Sequence, residues 1–143
     1  MITLAILRQM VNDLAELKLD ENAFWEELPL QSKGKPAEGV WLVTRGGTSG
    51  RRTGYNQRTT VDIYVAFKNK MKTEKVHSDI LAWLDTSKCF CRLSADAGDP
   101  LPYGYDFSNV RLFPATTPQN DGITENGMVV KVASVNLVYD INQ

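Results

Sequence analysis

Two segments of this chain alternate residue by residue, and that period confines the fold to one built around a sheet. In residues 57–68, Thr59, Val61, Ile63, Val65 and Phe67 share one parity, and Thr60, Asp62, Tyr64, Ala66 and Lys68 the other. In residues 128–141, Val129, Lys131, Ala133, Val135, Leu137, Tyr139 and Ile141 alternate with Met128, Val130, Val132, Ser134, Asn136, Val138 and Asp140. Successive side chains of a strand point to opposite faces, so period two means strand. In residues 57–68 one parity is apolar and the other mixed, which predicts a sheet covered by helices on one side only.

The helices are visible as a different period. From Ile2 to Leu17, Ile6, Leu7, Met10, Val11, Leu14 and Leu17 recur at steps of three and four, with Thr3 as candidate N-cap. Arg8, Asp13 and Glu16 interrupt this stretch, so it reads as an amphipathic helix and not as a signal peptide. A second helix is predicted from Thr73 to Leu84, capped by Thr73, with Val76, Ile80, Leu81 and Leu84 facing the core and Trp83 flanking it. Further strands are predicted at residues 39–44, 87–93 and 110–113, with polar loops at 94–108 and 115–127. The connector over residues 20–39 has room for one more short strand. The expected fold is α+β: a mostly antiparallel sheet with two helices packed on one face, in the order α-β-β-α-β-β-β, as a single domain over residues 1–143. At 143 residues and 43% hydrophobic, such a domain buries a core without disulfides or metals.

Titratable residues offer little for chemistry. His77 is the one histidine and reads as a surface residue of the second helix. Cys89 and Cys91 stand two apart in a predicted strand, on the same face, where a bridge between them is strained; they read as reduced thiols. Gly46–Thr53 lacks the spacing of a Walker loop, Asp96–Asp106 lacks that of an EF-hand, and no Gly-x-Ser-x-Gly elbow occurs. These readings point away from an enzyme, and no motif calls for a metal or a cofactor. No apolar run approaches the length of a membrane span.

Charge, by contrast, is sorted along the chain. Residues 45–75 carry a net +6, while residues 1–30 and 94–143 each carry −4, within an overall −1. Between the first two long strands, residues 45–56 hold four glycines, three arginines and no acid, a long Arg/Gly hairpin tip. Such a segment is compatible with a solvated surface, a head-to-tail contact between copies, or phosphate contact with nucleic acid through Tyr55 and the arginines.

In size, in the N-terminal helix Ile2 to Leu17, in the strand 58–68 followed directly by the helix 73–84, and in the closing strand 129–141, the chain resembles the tail-terminator and tail-completion proteins of long-tailed bacteriophages. Some of these are catalogued as phage minor capsid proteins. The resemblance covers nearly the whole length as a pattern of elements, without a diagnostic motif, and the connector 20–39 and the loop 100–105 have no counterpart in it. It implies a structural virion protein, made in the host cytoplasm and built into the tail or neck. It forms a ring, typically of six copies, that terminates the tail tube and joins it to the head-side connector. Its partners would be other copies, the tube protein and connector proteins, with DNA passing through the lumen. A neck or head-completion connector is the alternative, and a small nucleic-acid-binding module using the 45–58 arm is a further one. For a ring, Arg45, Arg51, Arg52, Tyr55 and Arg58 are the candidate basic interface, and Asp96, Asp99, Asp106 and Glu125 the candidate acidic one.

Overall fold

A computed structural model of the chain describes residues 2–25, 37–48, 57–85, 89–93, 106–115, 122–123 and 127–142. The elements are α1 (Ile2–Asp13), β1 (Ala23–Trp25), β2 (Gly39–Thr48), β3 (Gln57–Phe67), α2 (Lys70–Asp85), β4 (Cys89–Leu93), β5 (Asp106–Pro114), β6 (Gly122–Ile123) and β7 (Val129–Asn142). The strands form one sheet in the order β1-β2-β3-β7-β5-β4, with β6 also paired to β7. Among the described strands, β1 and β2 run parallel and the other strand pairs are antiparallel. The fold is the α+β layout expected, with β1 and β6 added to the predicted order.

The two alternating segments lie side by side. β3 and β7 stay in register without a break from Gln57↔Tyr139 to Phe67↔Val129. On one face, Val40, Leu42, Val61, Ile63, Val65, Ala133, Val135 and Leu137 are buried against Ile6 and Met10 of α1 and Val76, Ile80 and Trp83 of α2. Both helices therefore share one continuous apolar core on one face of the sheet. Each fully buried aliphatic side chain there contributes about 1.5–3 kcal/mol.

Several boundaries differ from the sequence reading, each for a local reason. α1 stops at Asp13, and the chain turns so that the Leu17 N–H donates to the Leu14 carbonyl at 3.1 Å; Leu17 is still buried. Thr3 is not a cap: it lies inside α1, and its hydroxyl accepts a hydrogen bond from Trp25 Nε1 at 2.7 Å, tying the helix to β1. α2 begins one turn before Thr73. Asn69 Oδ1 caps it, accepting from the Met71 N–H at 2.9 Å. Thr73 is instead buried, and its hydroxyl donates to the Val129 carbonyl at 3.1 Å and accepts from the Phe67 N–H at 3.1 Å. Leu81 is 42% exposed and Trp83 5%, the reverse of the expected pair. Starting from Thr73, steps of three, four and three reach Val76, Ile80 and Trp83, and Leu81 falls a quarter-turn away. Trp83 can be buried because its Nε1–H donates to Asp13 Oδ2 at 2.9 Å.

His77 is only half-exposed. Its Nε2 lies 3.1 Å from the Val132 carbonyl, which can only accept, so this nitrogen carries the proton. The strand predicted at 110–113 extends from Asp106 to Pro114, and a two-residue strand lies inside the loop predicted at 115–127. Cys89 and Cys91 do lie in a strand, β4.

Candidate assembly surface

Among the described residues, the opposite face of the sheet carries no helix. Alternation assigns to it Trp41 from β2; Arg58, Thr60, Asp62, Tyr64 and Ala66 from β3; and Val130, Val132, Ser134, Asn136 and Val138 from β7. At one end the face is apolar. Trp41 and Tyr64 stack with ring centroids 4.9 Å apart, and they pack on the buried Ala66, Met128 and Val130.

In the middle sits a buried carboxylate. Asp62 is 3% exposed; its Oδ1 accepts from the Ser134 hydroxyl at 2.6 Å and lies 3.4 Å from Arg45 Nε. Arg45 arrives there through a register shift between Thr44 and Gly46. An extra residue in a strand re-aims its side chain, and here it turns the guanidinium over the sheet. A buried carboxylate requires such partners, because its isolated charge is costly.

The other end is polar and open. The Thr60 hydroxyl donates to Asn136 Oδ1 at 2.7 Å across β3 and β7. Arg58 stands opposite Val138, and Val138 stands opposite Arg111 of β5. Directly paired residues share a face, so Arg58, Val138 and Arg111 form one rank across three strands. The two arginines are two strand spacings apart, about 10 Å at the backbone. In the next rank, Thr60, Asn136 and Phe113 are aligned in the same way. Arg58, Arg111 and Asn136 are exposed, and Phe113 is 46% exposed. Among the described residues neither Arg58 nor Arg111 has an ion-pair partner.

Of the residues singled out from sequence, Arg45 and Arg58 come together on this face, on the two strands leading to the hairpin tip. Asp106 opens β5, opposite Asn142. Arg51, Arg52, Tyr55, Asp96, Asp99 and Glu125 lie outside the described residues. Arg111, Phe113 and Asp62 were not singled out. The signal for Asp62 was present, an acid in the middle of an alternating strand. For Arg111 and Phe113 only the pairing of β5 with β7 supplies it.

A second charged cluster lies between the end of α1 and α2. A cavity of about 590 Å³ is lined by residues that include Asp13, Glu16, Lys75, Asp79 and Trp83. Lys75 Nζ lies 3.1 Å from Glu16 Oε2 and 3.6 Å from Asp79 Oδ2. Partial burial, followed by a hydrogen bond to Asp79, raises the Glu16 carboxyl above its ordinary 4.5. The hydrogen bond to Glu16 raises Lys75 above 10.5. With a raised carboxyl, the folded state binds a proton that the unfolded chain has already lost. Its stabilising contribution is present below 4.5 and disappears as pH rises through the folded value. Glu16→Gln is therefore expected to flatten the fall in stability with rising pH just above 4.5, by under about 1 kcal/mol at this partly exposed site. Urea midpoints across that range check it, and a variant whose pH profile overlays the parent's contradicts it.

Among the described residues, no three His, Cys, Asp or Glu side chains are grouped to hold a metal ion, and no helix is long and apolar enough to cross a membrane. No protein-family model matches the chain, and no curated protein or solved structure is significantly similar to it.

Proposed function

We propose that this chain is a structural virion protein of a long-tailed bacteriophage, forming a ring that terminates the tail tube and joins it to the head-side connector. The observation that supports the reading is the one-sided layering. Both helices pack on one face of the sheet, and the other face presents exposed arginines, an exposed phenylalanine and the two strands of a basic hairpin. A face of this composition suits docking onto another protein, where buried aromatic and arginine side chains carry much of the affinity. The resemblance in element order supplies the identity of the assembly.

The test is tube capping. Tube protein encoded in the same phage genome, polymerised with and without this chain, is expected to give shorter tubes of uniform length when it is present, with a ring visible at one end by electron microscopy. Reversing both hairpin charges, Arg51→Glu with Arg52→Glu, is expected to abolish capping while the circular dichroism spectrum stays unchanged. Tubes that grow equally long with the parent protein present would sink the reading.

A further inference from the structure

We infer that the open end of this sheet face binds single-stranded nucleic acid, with a base stacked on Phe113 and the neighbouring phosphates held by Arg58 and Arg111. The inference goes beyond the ring reading and stands apart from it. The hairpin, and the apolar end of the face with Trp41 and Tyr64, are left for protein contact. The starting point is three large side chains gathered at one end of the face. Among the described residues, the side chains of Arg58, Arg111 and Phe113 make no hydrogen bond, ion pair or ring contact. All three are exposed.

Strand pairing places them together. Phe113 follows Arg111 by two residues on β5, so the two share a face about 7 Å apart at the backbone. Arg58 stands across Val138 from Arg111. The result is one aromatic ring with two cations beside it, on a surface that no described helix covers. An open sheet face carrying aromatic side chains is a recurrent platform for unpaired nucleotides. Bases stack on the rings, and cations along the face hold the backbone. Arginine suits that second task, because its planar fork of N–H donors matches a phosphate.

The residue opposite Phe113 adds a further contact. Asn136 is its direct partner on β7, and it is exposed. The Thr60 hydroxyl donates to Asn136 Oδ1 at 2.7 Å, which sets the orientation of the amide and leaves its Nδ2 group facing away from Thr60. Among the described residues those N–H donors have no acceptor. Directly paired side chains are close neighbours on a sheet, so a base lying on Phe113 brings its edge to this amide. A base carbonyl oxygen, such as those of thymine and uracil, accepts from it.

Two acids share the face. Asp62 is buried and held by Ser134 and Arg45. Asp140 lies one rank beyond the arginines, on the side away from Phe113, where its Oδ2 accepts from Asn109 Nδ2 at 3.0 Å. A phosphate backbone is therefore favoured on the Phe113 side. Duplex DNA would meet the arginines, but its bases are stacked on one another and leave Phe113 without a partner. An acidic protein segment could pair with the arginines and cover Phe113, yet an aliphatic side chain there would serve it as well as a ring. Stacking requires the ring.

The test is fluorescence anisotropy of the full chain with a fluorescein-labelled thymidine dodecamer at low salt. Binding is expected, weakening as salt rises, with a duplex of the same length held about tenfold more weakly. Arg58→Gln with Arg111→Gln, and separately Phe113→Leu, are each expected to weaken it about tenfold. Asn136→Ala should weaken it by less, about threefold. Phe113→Trp, which keeps a ring, should bind at least as tightly as the parent. All of these side chains are on the surface, so circular dichroism should not change. No binding of the dodecamer at low salt, equal binding by Phe113→Leu, or equal affinity for the duplex overturns the inference. Binding of poly-L-glutamate as tight as that of the dodecamer, and indifferent to Phe113→Leu, overturns it in favour of an acidic protein segment.

Discussion

Ile63→Ala is expected to cost about 3–4 kcal/mol of folding stability, the largest loss from any single truncation considered for this chain. Ile63 is fully buried on β3, with Leu42 opposite it on β2 and Ala133 opposite it on β7. The neighbour on the β7 side is already an alanine, and both flanking strands are paired with β3 on either side of Ile63. The space left by the missing atoms therefore has little means of closing, and the cavity adds to the lost transfer free energy. Domains of this size are stable by about 5–15 kcal/mol, so the variant gives up a substantial fraction. Urea unfolding should show a lower midpoint with an unchanged slope. A loss below about 1 kcal/mol would mean that the helices do not press on the sheet here.

Gly39→Ala is the second large effect, expected at about 2–4 kcal/mol. Gly39 opens β2 with φ +156°, and a Cβ there would lie 2.5 Å from the Asn22 carbonyl oxygen. That oxygen accepts the Val40 N–H at 2.8 Å, just before the residues where β1 pairs with β2. Asn22 is also held through its side chain to Glu16 and Lys18, so it cannot retreat without breaking those contacts. Gly127 provides the comparison. It has φ +77° but nothing within 4 Å of a built Cβ, so Gly127→Ala carries only backbone strain, about 1 kcal/mol. Equal midpoints for the two alanine variants would contradict the close approach at Gly39.

Much of this architecture can be read from periodicity. The strict alternation of β3 and β7 identifies both strands and assigns each residue to a face, because one face of β3 is mostly apolar. The α2 stripe is harder to read. Trp83 and Leu81 are both plausible core residues, and the choice turns on whether the indole N–H finds a partner. Asp13 supplies it, from a helix some seventy residues away in sequence. Thr73 likewise looks like a cap by residue type, yet its hydroxyl is used by the ends of β3 and β7. Half of the candidate surface was legible for the same reason. Arg45 and Arg58 flank one hairpin, so local sequence brings them together. Arg111 and Phe113 reach the same face only because β5 pairs with β7. The register there also shifts between Ser108 and Arg111, where Asn109 adopts φ +50°. No local pattern announces that bulge, and the parity on which a face assignment depends changes across it.

β7 lies between β3 and β5, yet among the described elements it comes last in the chain. Without β7 the described strands can pair only as two separate pieces. β1, β2 and β3 form one, β4 and β5 the other, and each shows an open edge toward the missing strand. Until residues 129–142 have paired between them, those edges are templates for any passing strand. The pairings that complete the sheet join residues as far apart in sequence as Gln57 and Tyr139. Pairings this distant in sequence are expected to slow folding, and the unpaired edges are exposed until the final strand is in place.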